Sequence, residues 1–65
     1  MKIVVNGEPA DVVAATLADA LFELGFADAK VATALNEAFV AKDARAACAL
    51  SDGDRLEILA PMQGG

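Results

Sequence analysis

A chain of 65 residues holds one domain, near the lower size limit for folding without metal or disulfide, because so small a domain buries only about 60% of its unfolded surface. Sixteen residues are Ala, which leaves enough larger apolar side chains for one sheet covered by one helix. Ten acidic against five basic side chains give a net charge of −5 and disfavour nucleic acid and anionic membrane as partners; with no His and a single Cys48, the usual metal, haem and iron-sulfur ligand sets, an internal disulfide and every Ser-His or Cys-His nucleophile pair are excluded.

Lys2-Ile3-Val4-Val5 is β-branched and ends at Asn6-Gly7, a hairpin signal because both central turn residues must accept positive φ. The return strand is predicted from Glu8 through Val13. Its Pro9 has no N–H to donate, which places that strand at a sheet edge. Thr16 is the predicted cap of a helix, accepting from the backbone N–H of Asp19, itself an acid in the first turn. Leu17, Ala20, Leu21 and Leu24 follow at helical spacing as one apolar stripe. Ala18, Asp19 and Glu23 face elsewhere, the two acids as a solvated face, and Gly25 supplies a positive-φ stop.

Val31 to Leu35 reads as a third strand that turns at Asn36-Glu37 into Ala38-Phe39-Val40. Lys42 to Ala49 is Ala-rich and predicts a helical turn or short helix. Ser51-Asp52-Gly53-Asp54 is a turn, to which the two carboxylates belong in preference to a catalytic pair. Arg55 to Ala60 alternates polar and apolar as a last strand. Leu56 and Ile58 share one face, while Leu59 lies with Arg55 and Glu57 on the other. Val4 is likewise out of phase with Ile3 and Val5.

The first and last strands are the most apolar. They are therefore expected side by side and parallel in the middle of the sheet, the intervening elements supplying the crossover. The result is an α+β, ubiquitin-like β-grasp: a mixed sheet of four to five strands, one main helix and a flexible Gly-Gly tail. Residues 1–60 form the domain and residues 61–65 the tail. The longest apolar run, Ala46 to Leu50, is too short to span a bilayer, and no signal-peptide pattern opens the chain, so the expected location is cytoplasmic.

Beyond Ala60 the sequence reads Pro61-Met62-Gln63-Gly64-Gly65, with nothing to hold helix or strand. Glycines without Cβ pass through narrow channels. The Gly65 carboxyl, anionic at neutral pH with an ordinary pKa of about 3.5, is chemically able to attack a nucleotide α-phosphate and form an acyl-adenylate, from which a sulfur nucleophile displaces AMP. Pro61, Met62 and Gln63 are read as residues that seat in a partner's channel, the alternative being a plain linker. Val4 and Leu59 are read as an apolar patch for a partner on the sheet face away from the helix. Cys48 is read as a small packed hydrophobe.

The chain resembles the ThiS family, the sulfur carriers of thiazole formation in thiamin biosynthesis. The matching pieces are Asn6-Gly7-Glu8, Thr16-Leu17, Leu24-Gly25, Val31 through Asn36, Val40, Gly53-Asp54, Glu57-Ile58 and Pro61-Met62-Gln63-Gly64-Gly65. Where the family often has Pro-Arg and, three residues later, Trp, this chain has Ala41-Lys42 and then Arg45. The resemblance implies a protein cosubstrate and no autonomous enzyme. An E1-like adenylyltransferase (ThiF-like) using ATP and Mg²⁺ adenylates Gly65, a cysteine desulfurase system supplies sulfur, and thiazole synthase (ThiG-like) receives it from the Gly65 thiocarboxylate; no cofactor or metal is bound by the carrier itself. Two other readings stand beside it. One is the molybdopterin-pathway sulfur carrier; the other is a non-covalent β-grasp binding module, which would be indifferent to changes at Gly65.

Overall fold

The computed structural model describes residues 1–27 and 29–60. Five strands, β1 (Lys2–Val5), β2 (Glu8–Asp11), β3 (Ala32–Leu35), β4 (Ala38–Val40) and β5 (Arg55–Leu59), form one mixed sheet in the order β2-β1-β5-β3-β4. Helix α1 (Leu17–Glu23) covers one face, and a 3₁₀ helix, Lys42–Ala47, connects β4 towards β5. β1 and β5 pair in parallel at the centre, and β2 with its Pro9 is an edge strand. Among the described residues no helix is long and apolar enough to cross a membrane.

Both hairpins turn on an Asn. Asn6 and Gly7 have φ of 51° and 85°, Asn36 and Glu37 of 51° and 73°, the paired positive φ values of two-residue turns whose twist matches the strands. Asn tolerates this region because its short polar side chain bonds locally.

Seven residues make a marginal helix in isolation, so α1 is held by its ends and its stripe. The Asp19 N–H donates to Thr16 Oγ1 (3.2 Å) and the Leu17 N–H to the Cys48 carbonyl (2.8 Å), which satisfies two of the first-turn donors. At the other end Gly25 takes φ 92°, the Phe26 N–H reaches the Leu21 carbonyl (2.7 Å) and the Gly25 N–H the Phe22 carbonyl (3.2 Å), the bond pair of a Schellman stop. Leu17, Ala20 and Leu21 pack on Ile3, Leu56 and Ile58 of the two central strands, with Val12, Ala14 and Leu50 closing the core.

Three expectations are corrected. β2 ends at Asp11 and does not run to Val13: the Val12 side chain turns into the core, Val13 is 91% exposed, and the N–H groups of Val13 and Ala14 leave the ladder for the Glu23 carboxylate at 3.0–3.1 Å. Glu23 is thus a clamp joining the end of α1 to the β2–α1 link, in place of a solvated acid. β3 begins at Ala32 and β5 stops at Leu59, each one residue inside the expected limits.

Candidate functional site

The tail residues Pro61, Met62, Gln63, Gly64 and Gly65 lie outside the described residues; the strand from which they extend is fully described. β5 is the middle strand of the five, with a parallel ladder to β1 on one side and an antiparallel ladder to β3 on the other. Its two ends are also gripped by the turn asparagines. The Ile58 N–H donates to Asn6 Oδ1 (2.8 Å) and Asn6 Nδ2 to the Ile58 carbonyl (3.1 Å), so a side-chain amide continues the β1–β5 ladder where the β1 backbone has turned away. At the other end the Arg55 N–H donates to Asn36 Oδ1 (2.9 Å), and Asn36 Nδ2 donates to Asp54 Oδ1 (3.0 Å). Asp54 in turn accepts from the Ser51 N–H, and Asp52 from the Lys2 N–H. Both carboxylates therefore serve turns.

Leu59 and Val4 both point away from the helix, but the register separates them. Val4 is opposite Arg55, four residues before Leu59 on the same strand, a distance of about 13 Å at about 3.3 Å per residue. Val4 is half-buried beside Pro9, and a shallow 170 Å³ depression next to it is rimmed by Glu37, Arg55 and Glu57. They do not form one patch. Leu59, 65% exposed, instead faces Ala32, and Phe39, 72% exposed, faces Ala34. Leu59, Ala32, Ala34 and Phe39 make the apolar strip of this face, ending where the chain leaves the sheet. Phe39 was the missed member. A three-residue strand has no alternation from which to read its faces, although the two-residue turn at Asn36-Glu37 sets Phe39 opposite Ala34 and so on the outer side.

Cys48 is half-buried against the core. The Arg45 guanidinium, the cation nearest to it in sequence, is directed at β3: Nε donates to Thr33 Oγ1 (3.0 Å) and Nη2 to the Val31 carbonyl (2.6 Å). Thr33, 1% exposed, donates a hydrogen bond from its own hydroxyl to the Val40 carbonyl (2.8 Å). A buried relay thus ties the 3₁₀ helix to both strands of the β3–β4 edge.

The ThiS family model matches residues 3–65, from the first core residue of β1 through the terminal glycine pair. The chain belongs to the ThiS family. The crystal structure of the thiamine biosynthesis protein (ThiS) from Geobacter metallireducens superposes with a TM-score of 0.84 at 35% identity, each chain covered in full. The solution structure of a thiamine biosynthesis protein from the same organism gives 0.79 at 33% identity, covering all of this chain and 88% of that one. The fold of this ThiS family member is accordingly the ubiquitin-like β-grasp. Among curated proteins, thiazole synthases from Paramagnetospirillum magneticum and Magnetococcus marinus are 44% and 41% identical over 66 residues, covering 100% of this chain. The chain spans about a fifth of the length of these relatives (20%).

Proposed function

We propose that this ThiS family member is a sulfur carrier for thiazole formation, a protein cosubstrate whose reactive group is the Gly65 carboxyl. The observation that carries the reading is the family match extending through Gly65, on a domain whose last strand lies at the middle of the sheet and is also held by Asn6 and Asn36. In an E1-like adenylyltransferase with ATP and Mg²⁺, a Gly65 carboxylate oxygen bonds to the α-phosphorus and pyrophosphate leaves. The terminal sulfur of a persulfide, supplied by a cysteine desulfurase system, then adds to the acyl carbon and AMP leaves; a thiol reductant attacks the donor-side sulfur of the resulting acyl disulfide, so that the Gly65 thiocarboxylate leaves and the donor is oxidised to a disulfide with that thiol. The domain's own side chains orient the tail and present the strip of Leu59 and Phe39; none takes or gives a proton in these steps. Relatives named thiazole synthase favour that enzyme as the recipient, and the thiazole branch over the molybdopterin alternative.

Pyrophosphate exchange with the activating enzyme tests the first step: exchange is expected with the full chain and is lost when Gly65 is removed. Equal exchange without Gly65 would sink the reading. Intact mass of the protein recovered from cells tests the second, because a thiocarboxylate differs from the carboxylate by one sulfur-for-oxygen exchange, and the same spectrum identifies the last residue.

A further inference from the structure

The five basic side chains of this acidic chain are unevenly placed. Lys2 faces Asp11 across the β1–β2 register, and Arg55 is paired with Glu37 at 3.3 Å. The other three, Lys30, Lys42 and Arg45, line one cavity of about 650 Å³ over Val31 and Ala32, with no carboxylate of the described residues in its lining. Asp43 follows Lys42 in the 3₁₀ helix but stays outside that lining.

A second hollow of about 320 Å³ opens from the same rim. It shares Lys42 and Arg45 and is walled by Phe22 and Phe26, and Phe22 is 74% exposed. The joined groove is cationic at one end and aromatic at the other. Ala32, in the cationic lining, is the register partner of Leu59, the last residue of β5. The cationic end therefore sits beside the point where the chain leaves the sheet towards Gly65, and a protein that takes up that carboxyl approaches along this edge.

We propose that the groove docks an acidic segment of the tail-activating enzyme, whose carboxylates meet Lys30, Lys42 and Arg45 while an apolar side chain of the same segment packs on Phe22 and Phe26. The proposal rests on the carrier reading above. Charge complementarity selects this occupant: among the described residues, only Lys2 and Arg55 stand outside the groove against nine acidic residues, none of which enters either lining, so an acidic segment is repelled elsewhere and is steered to this edge. A nucleotide fits less well. No glycine contributes to either lining as a backbone cradle for phosphate, whereas Arg45, with Nε on Thr33 and Nη2 on the Val31 carbonyl, adds positive charge to the groove without a free fork.

The test is steady-state pyrophosphate exchange by the activating enzyme with wild-type chain, the Lys30→Glu/Lys42→Glu double variant and Phe22→Ser, all at exposed positions; Arg45 is left intact because it holds β3. The double variant is expected to raise KM for the carrier roughly tenfold or more at an ionic strength of about 0.01 M and to approach wild type at about 1 M, as the screening length falls from about 30 Å to about 3 Å. Its kcat is unchanged, and Phe22→Ser raises KM at both salt levels. An unchanged KM for the double variant at low salt overturns the docking surface. A chain lacking Gly64-Gly65 separates the two ideas: it is expected to be inert in exchange yet to inhibit wild type competitively, and to lose that inhibition with the Lys30→Glu/Lys42→Glu changes. If the truncated chain exchanges normally, the carrier reading fails while its Lys dependence still reports on the groove; if wild type neither exchanges nor binds, both fail. AMP titrated alone onto the protein should leave the Lys30, Lys42 and Phe22 amide resonances in place; saturable shifts there would make the groove a nucleotide site and overturn the proposal.

Discussion

Asn6 offers a direct measure of how firmly the terminal strand is held. Its side chain satisfies both backbone groups of Ile58, at 2.8 and 3.1 Å, while its own backbone sits at φ 51°. Asn6→Gly keeps the backbone accessible and deletes two part-buried hydrogen bonds, a loss of about 1–3 kcal/mol at about 0.5–1.5 kcal/mol each. Asn6→Ala loses the same bonds and adds the left-handed penalty of a Cβ without a bonding side chain, about 1–2 kcal/mol more. Against a total stability of about 3–5 kcal/mol for a domain this small, the Gly variant stays folded and the Ala variant lies near its midpoint without denaturant. Urea unfolding followed by circular dichroism gives the two values. Amide hydrogen exchange gives the location: in Asn6→Gly the Ile58 N–H should exchange faster while the Leu56 N–H, deeper in the strand, changes only with global stability. Equal protection of Ile58 in wild type and Asn6→Gly would refute the clamp, and equal stability of the Gly and Ala variants would refute the strain.

Thr33→Val removes the hydroxyl that links Arg45 to the Val40 carbonyl at a site 1% exposed, leaving both without that partner; a loss of about 1–3 kcal/mol is expected from the urea midpoint, with Thr33→Ser milder. Glu23→Ala should cost about 1 kcal/mol, since the carboxylate is exposed though it accepts three contacts, and should speed exchange specifically at the Val13 and Ala14 amides. Leu59→Glu, at a position 65% exposed, should melt cooperatively near wild type and raise KM for the activating enzyme. Ile58→Glu, at a position 5% exposed, buries an unpaired carboxyl and should unfold the chain; thermal melts of the pair decide, and an unfolded Leu59→Glu would invert the strand phase.

What the sequence disclosed and what it hid divide by distance along the chain. Local chemistry was legible: Asn6-Gly7 as a tight turn, Thr16 as a cap for Asp19, Gly25 as a stop, and the phase that buries Leu56 and Ile58 while exposing Leu59. The central parallel pair also followed, because the two most apolar strands are the ones that need neighbours on both sides. Side chains that act far from their own position were not legible. Asn6 reaches a partner 52 residues away, and nothing about an Asn in a turn distinguishes one that merely tolerates positive φ from one that also caps another strand. Glu23 lies off the apolar stripe and reads as solvated, yet the β2–α1 link folds back over it with two free N–H groups. Val4 and Leu59 share a face, as their phase required, but a shared face fixes no distance along parallel strands; only the register shows them to be apart.

The position of β5 bears on how a carrier is used and released. Pulling on the tail loads β5, and because it lies between β1 and β3, with Asn6 gripping Ile58 and Asn36 gripping Arg55, withdrawing it requires two ladders and both side-chain contacts to yield. An edge strand such as β2 would peel from one neighbour only. In the carrier reading, the bonds that break and form during sulfur loading lie beyond residue 60, whereas the hydrogen bonds that keep the domain folded lie before it. A partner is thereby free to draw the terminus into a narrow site, act on it and let it go without the cost of reordering the domain. If the carrier reading holds, the domain's contribution is a fixed origin for the tail and a surface that sets the direction of approach, and the chemistry asks for no general base within it.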